Sequence, residues 1–188
     1  MSEHSSTSAE SAISRSRLEV LFDGIFAIAM TILVLELKVP ELADGHSRGE
    51  LSRALAHDGP TFLSYLLSFS LLGVLWYRHN QLYRHIERVS RRMLALQLLQ
   101  LATAAFIPFC AALVGRYPGN PLSLVVYSGC IMVCQWASAA YWLVATRTGA
   151  VKAHLDPSEY RAQGRRNLRS SLAVTAIFIY GLVVMLVH

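Results

Sequence analysis

Charge is scarce in this chain. Asp, Glu, Lys and Arg make up 15% of its 188 residues, against about 25% in an ordinary soluble domain. The apolar residues that replace them are gathered into long blocks, which excludes a conventional soluble core. Cysteine is equally sparse. Cys110, Cys130 and Cys134 all fall inside apolar blocks, so the chain has no disulfide framework. No His or Asp accompanies Cys130 and Cys134, so they read as small buried thiols rather than metal ligands. The sequences G-x-S-x-G, H-E-x-x-H and the P-loop are absent, so the chain reads as a non-enzyme without a cofactor or metal. The strict alternation that would build a membrane β-barrel is missing too.

What is present is hydrophobic length. The chain is 54% hydrophobic with a mean hydropathy of +0.40, and five blocks stand out, at 18–37, 61–77, 93–114, 121–145 and 171–187. A hydrocarbon core takes about 20 helical residues, within a range of about 17–25. In lipid the backbone must satisfy its own hydrogen bonds, so these blocks read as helices. The fold class is therefore all-α, a polytopic membrane bundle with about five spans. The first block is too long and too acidic for a signal peptide. Residues 1–16 are Ser-rich and lack aromatics, which predicts a disordered segment ahead of one transmembrane domain over 17–188.

The net charge of +5 is distributed unevenly. Thirteen of the 17 Lys and Arg residues lie before the first span, between the second and third, or between the fourth and fifth. Lys38, Arg48, Arg53 and Arg116 lie in the other connections. The positive-inside rule then puts the N-terminus in the cytoplasm of a multi-pass cell-membrane protein and, with five spans, the C-terminus outside. Spans divide the basic clusters, so nucleic acid is not the expected partner; membrane lipid is. The segment 147–169 reads as a polar cytoplasmic linker. ELSRALAHD, just before the second span, reads as a short helix.

The first span carries the functional signals. On a helix, Gly24, Ala27 or Ile28, Thr31 and Leu35 recur three or four apart and share a face. That spacing fits two readings, helix packing and pore lining. Asp23 sits in a region where a bare carboxylate costs about 2.5–3.5 kcal/mol at mid-membrane, so it needs a partner on another helix. Trp76, Arg78, His79 and Asn80 end the second block at the matching depth and can donate to it. A bracing network and a proton relay through Asp23 and His79 are both compatible with this pattern.

Three stretches then agree in order with one family. Arg17, with Leu21-Phe22-Asp23 and GIFAIAMTILVLEL after it, is followed by LWYRHNQLYRHI and AAFIPFCAALVGRY. Over about 15–117 the chain resembles short prokaryotic members of the transmembrane protein 175 family of potassium channels. The resemblance implies a homotetramer with four first spans around a central path. It implies an apolar constriction at Ile28, a hydroxyl layer at Thr31 and a second apolar ring at Leu35, with monovalent cations, chiefly potassium, as the permeant species. It implies that Arg17, Asp23, Trp76, His79 and Asn80 brace the pore helix, and that Glu36 attracts cations at the outer mouth. The filter sequence TVGYG is absent, so discrimination would rest on this constriction. Leu21 and Phe22 stand where the family carries Phe and Ser, so the bracing network must be satisfied differently. The family repeat also has six spans, so a sixth is expected, either truncated or missing here. The alternative function is a proton-linked or solute transporter using Asp23 and His79.

Overall fold

A computed structural model describes residues 15–42, 48–152 and 157–187. The expectation for residues 1–16 falls mainly outside this set; Arg15 and Ser16 open the first helix. Six helices follow in order. α1 spans Arg15–Ile32 and tightens into a 3-10 turn at Leu33–Glu36; α2 spans Arg48–His57, α3 Gly59–Tyr83, α4 Arg91–Arg116, α5 Pro121–Arg147 and α6 Pro157–Val187. Among the described residues, five of these helices are long and apolar enough to cross a membrane. They match the five blocks read from the sequence, except that the first helix ends at Glu36, one residue short of its block. The short helix expected before the second span is α2.

The ends of the helices follow local chemistry. Asp58 precedes α3 with Pro60 in its first turn, where the missing N–H is no loss. Ser90 caps α4 by accepting from the Met93 N–H at 3.4 Å. Asn120 caps α5 by accepting from the Leu122 N–H at 2.9 Å. Each satisfies one of the free donors that a helix start leaves. Gly119 takes φ 84° in the α4–α5 turn, a left-handed conformation that favours glycine.

Successive spans run antiparallel. Near the start of α3, Ser64 Oγ donates to the Ala111 carbonyl near the end of α4 at 2.7 Å. Farther along, Ser171 of α6 donates to the Gln135 carbonyl of α5 at 3.2 Å. One core cluster lies where α1, α3, α4 and α5 meet, around Phe22, Phe26, Leu72, Leu101 and Ile107. A second lies toward the α3–α4 turn, around Tyr83, Ile86, Met93, Tyr141 and Trp142. There the α3–α4 and α5–α6 connections join through an antiparallel bridge, Ile86 with Val151. The Lys152 N–H donates to the His85 carbonyl at 3.0 Å and the Glu87 N–H to the Ala150 carbonyl at 2.8 Å.

The linker reading of 147–169 needs correcting. α6 already begins at Pro157, so the connection is much shorter. Gln163, Asn167 and Ser171 are buried, and their spacing of four puts them on one helical face. Gln163 Nε2 donates to Asn167 Oδ1 at 3.2 Å, and Ser171 Oγ donates to the Asn167 carbonyl at 3.0 Å. Most of this polar face is hydrogen-bonded, which makes its burial tolerable; Asn167 Nδ2 is buried without a partner. A search for apolar periodicity passes over it.

Candidate pore helix and its bracing

α1 has two faces. Leu18, Phe22, Phe26, Ala29 and Leu33 are buried, at intervals of three or four that make one stripe. That stripe holds the helix against the bundle. On the other side Gly24, Ala27, Ile28, Thr31 and Leu35 are exposed. Ile28 keeps 58% of its surface and Leu35 72%. The small residues and Thr31 singled out by spacing are therefore not used to pack α1 within its own chain.

Thr31 is arranged in a particular way. Its Oγ1 donates to the Ile28 carbonyl at 2.8 Å. The hydroxyl proton is spent within the helix, and the oxygen lone pairs remain free to accept. Just beyond, the helix tightens at Leu33–Glu36, near the helix end whose dipole favours cations. Glu36 lies 3.9 Å from Arg116 of α4. This exposed pair partly neutralises the carboxylate expected to attract cations, at a strength of about 0–1 kcal/mol.

Asp23 finds its donor on α3. Trp76 Nε1 donates to Asp23 Oδ1 at 2.8 Å. The other expected partners lie elsewhere. Neither Arg17 nor Asn80 forms a hydrogen bond or ion pair with Asp23. His79 is buried at 5% exposure, and neither of its ring nitrogens is hydrogen-bonded. It stacks on Phe22 instead, with ring centroids 3.3 Å apart and planes at 8°. Phe22 stacks in turn on Phe26 at 4.7 Å, and Tyr83 lies 5.4 Å from His79.

Phe22 is thus the residue that sequence reasoning undervalued. It appeared as a departure, an apolar ring where the family has a hydroxyl. In the fold it closes an aromatic column that ties α1 to α3. The signal was available as Phe22 and Phe26 one turn apart, with His79 and Tyr83 one turn apart on the facing helix.

Comparison with known proteins agrees with this architecture. Residues 17–108 match the family described as the endosomal/lysosomal potassium channel TMEM175. A potassium channel of Streptomyces collinus is 34% identical over 165 residues, which are 86% of this chain and 77% of that protein. The human endosomal/lysosomal proton channel TMEM175 is 34% identical over 114 residues, which are 58% of this chain but only 23% of the human one. The crystal structure of a lysosomal potassium-selective channel TMEM175 homologue from Chamaesiphon minutus superposes with a TM-score of 0.77 at 26% identity, covering 90% of this chain and 87% of that one. Similarity that spans nearly the whole bundle, and most of a relative of comparable length, means that this chain belongs to the TMEM175 family of potassium channels.

Proposed function

We propose that the chain is one subunit of a potassium-favouring cation channel, a homotetramer whose path is lined by the exposed face of α1. The observation that carries this is the division of α1. Its aromatic stripe is consumed by the bundle, while Ile28, Thr31 and Leu35 are left outward on a membrane helix. Four such faces around an axis would cover one another and enclose a path. Ile28 offers no ligand, so its ring forms an apolar constriction that an ion crosses when the ring widens or wets. Thr31 supplies oxygens one turn on. Asp23 with Trp76, and Phe22 with His79, hold the helix at the required rotation; Arg17 and Asn80 flank this bracing without bonding to the carboxylate. The basic end of the bundle faces the cytoplasm, by the positive-inside rule.

The alternative, a proton-linked or solute transporter through Asp23 and His79, has less support. The hydrogen bond to Asp23 comes from Trp76, and the His79 ring lies flat on Phe22. No hydrogen bond connects the two titratable groups.

Purified protein in planar bilayers, with potassium on one side and sodium on the other, tests the reading. The native channel should show a reversal potential set mainly by potassium. Ile28→Asn should wet the constriction, supply amide groups and move that potential toward the sodium value. Val34→Asn lies off the stripe and should move it little. The opposite pattern would return Gly24, Ala27 and Thr31 to a packing role. Saturating flux driven by a pH gradient would favour the transporter.

A further inference from the structure

A sizeable cavity lies away from α1. It measures about 760 Å³ and opens between the last turns of α3 and the first half of α6, a volume within the usual range for ligand sites of about 300–1,000 Å³. Three guanidinium groups line it, Arg78 from α3 with Arg166 and Arg169 from α6, together with His85 and Tyr77. Among the described residues, no carboxylate lines it.

Two of the arginines are held by neutral groups. Arg78 donates to Ser170 Oγ at 2.5 Å and to Asn167 Oδ1 at 3.4 Å. Arg166 donates to Gln163 Oε1 at 2.6 Å. Those acceptors fix the planar forks without cancelling their charge. Asn167 and Gln163 are themselves buried, so the wall of the cavity is constructed rather than incidental. Like charges gathered in a partly desolvated cleft repel unless an anion joins them.

We propose that this cavity is a binding site for a phosphate-class anion, separate from the ion path. A guanidinium fork matches the oxygens of a phosphate and binds it through paired charge-assisted hydrogen bonds. Several forks with a histidine suit a multiply charged group better than a single carboxylate. The site lies at the cytoplasm-facing end of the bundle, where basic pockets between membrane helices take anionic lipid headgroups. A lipid headgroup and a soluble phosphate present the same chemistry, and the experiment separates them.

The purified full-length protein is placed in phosphatidylcholine nanodiscs with increasing cardiolipin, and separately titrated with inorganic pyrophosphate. Bound lipid is read by native mass spectrometry and pyrophosphate binding by calorimetry. Binding of at least one anion, weakened about tenfold or more in Arg166→Gln/Arg169→Gln, supports the site. Both changes fall on exposed side chains, so the variant should fold. Arg161→Gln/Arg165→Gln is the control: it removes the same two charges from exposed positions of the same helix outside the cavity, and should leave binding near the native value. Cardiolipin binding alone identifies a lipid source, and pyrophosphate binding alone a soluble one. Absence of both, or equal losses in Arg166→Gln/Arg169→Gln and in Arg161→Gln/Arg165→Gln, would overturn the proposal.

Discussion

At the residue scale, the carboxylate of Asp23 shows what a sequence can and cannot say. Hydropathy demanded a partner, the second block offered Trp76, Arg78, His79 and Asn80, and the family resemblance added Arg17. Choosing among them depends on the rotation of α3 about its axis. That rotation is set by Leu72, Leu75 and His79 turning inward together, a stripe hidden in a helix that is apolar nearly all round. Once His79 faces the core, Trp76 is left at the edge where Asp23 lies. A hydrogen bond to a charged group contributes about 1.5–3 kcal/mol when well desolvated, and partial exposure brings this one toward about 1 kcal/mol. Trp76→Phe keeps the ring and removes the donor, so it should lower the melting temperature of the detergent-solubilised protein. Asp23→Ala should lower it similarly. The double variant should cost less than the sum, because both changes delete the same bond. Strict additivity would show that the two side chains are not coupled.

At the element scale, the membrane blocks were legible because length and hydropathy are properties of the chain itself. The alternation of the spans followed from consecutive membrane crossings, which put alternate connections at opposite ends. The first half of α6 was not legible, since Gln163, Asn167 and Ser171 put polar atoms on the inward face and bond most of them within the bundle. The Ile86–Val151 bridge was equally hidden, because it joins two loops distant in sequence. Close approach of helices is another property of the fold alone. A Cβ added at Gly115 of α4 would meet the Thr61 Cα of α3 at 3.1 Å, whereas one at Gly129 of α5 would meet Phe178 Cε2 of α6 at the same distance. Backbone cannot yield as a ring edge can. Gly115→Ala should therefore force α3 and α4 apart and cost about 1–3 kcal/mol. Gly129→Ala should be milder, because the Phe178 ring can shift and alanine favours the helix by about 1 kcal/mol. Thermal unfolding of the two variants, side by side in one detergent, checks the order. Equal losses would mean that the α3–α4 crossing is free to relax.

At the scale of the whole molecule, charge and topology meet. The antiparallel bundle places the start of α1, the α3–α4 turn and the start of α6 at one end. These segments, with the last turns of α3, the end of α5 and the connection that precedes α6, hold thirteen of the 17 basic residues. The opposite end holds α2, the α4–α5 turn and the four remaining basic residues. The asymmetry read along the sequence is therefore also an asymmetry in space, which is the condition under which basic loops are retained in the cytoplasm. Two exposed positions report on it. Ser52 lies on α2, and Glu87 lies in the α3–α4 turn. Neither is basic, so replacing either leaves the basic residues that set the orientation in place. In a background with Cys110, Cys130 and Cys134 replaced by alanine, a membrane-impermeant thiol reagent added to intact cells should label Ser52→Cys and spare Glu87→Cys. Permeabilised cells should label both, which confirms that Glu87→Cys is reactive. Labelling of Glu87→Cys alone in intact cells would invert the bundle. The cavity of Arg78, Arg166 and Arg169 would then face outward, and Glu36 would stand at the inner mouth of the path.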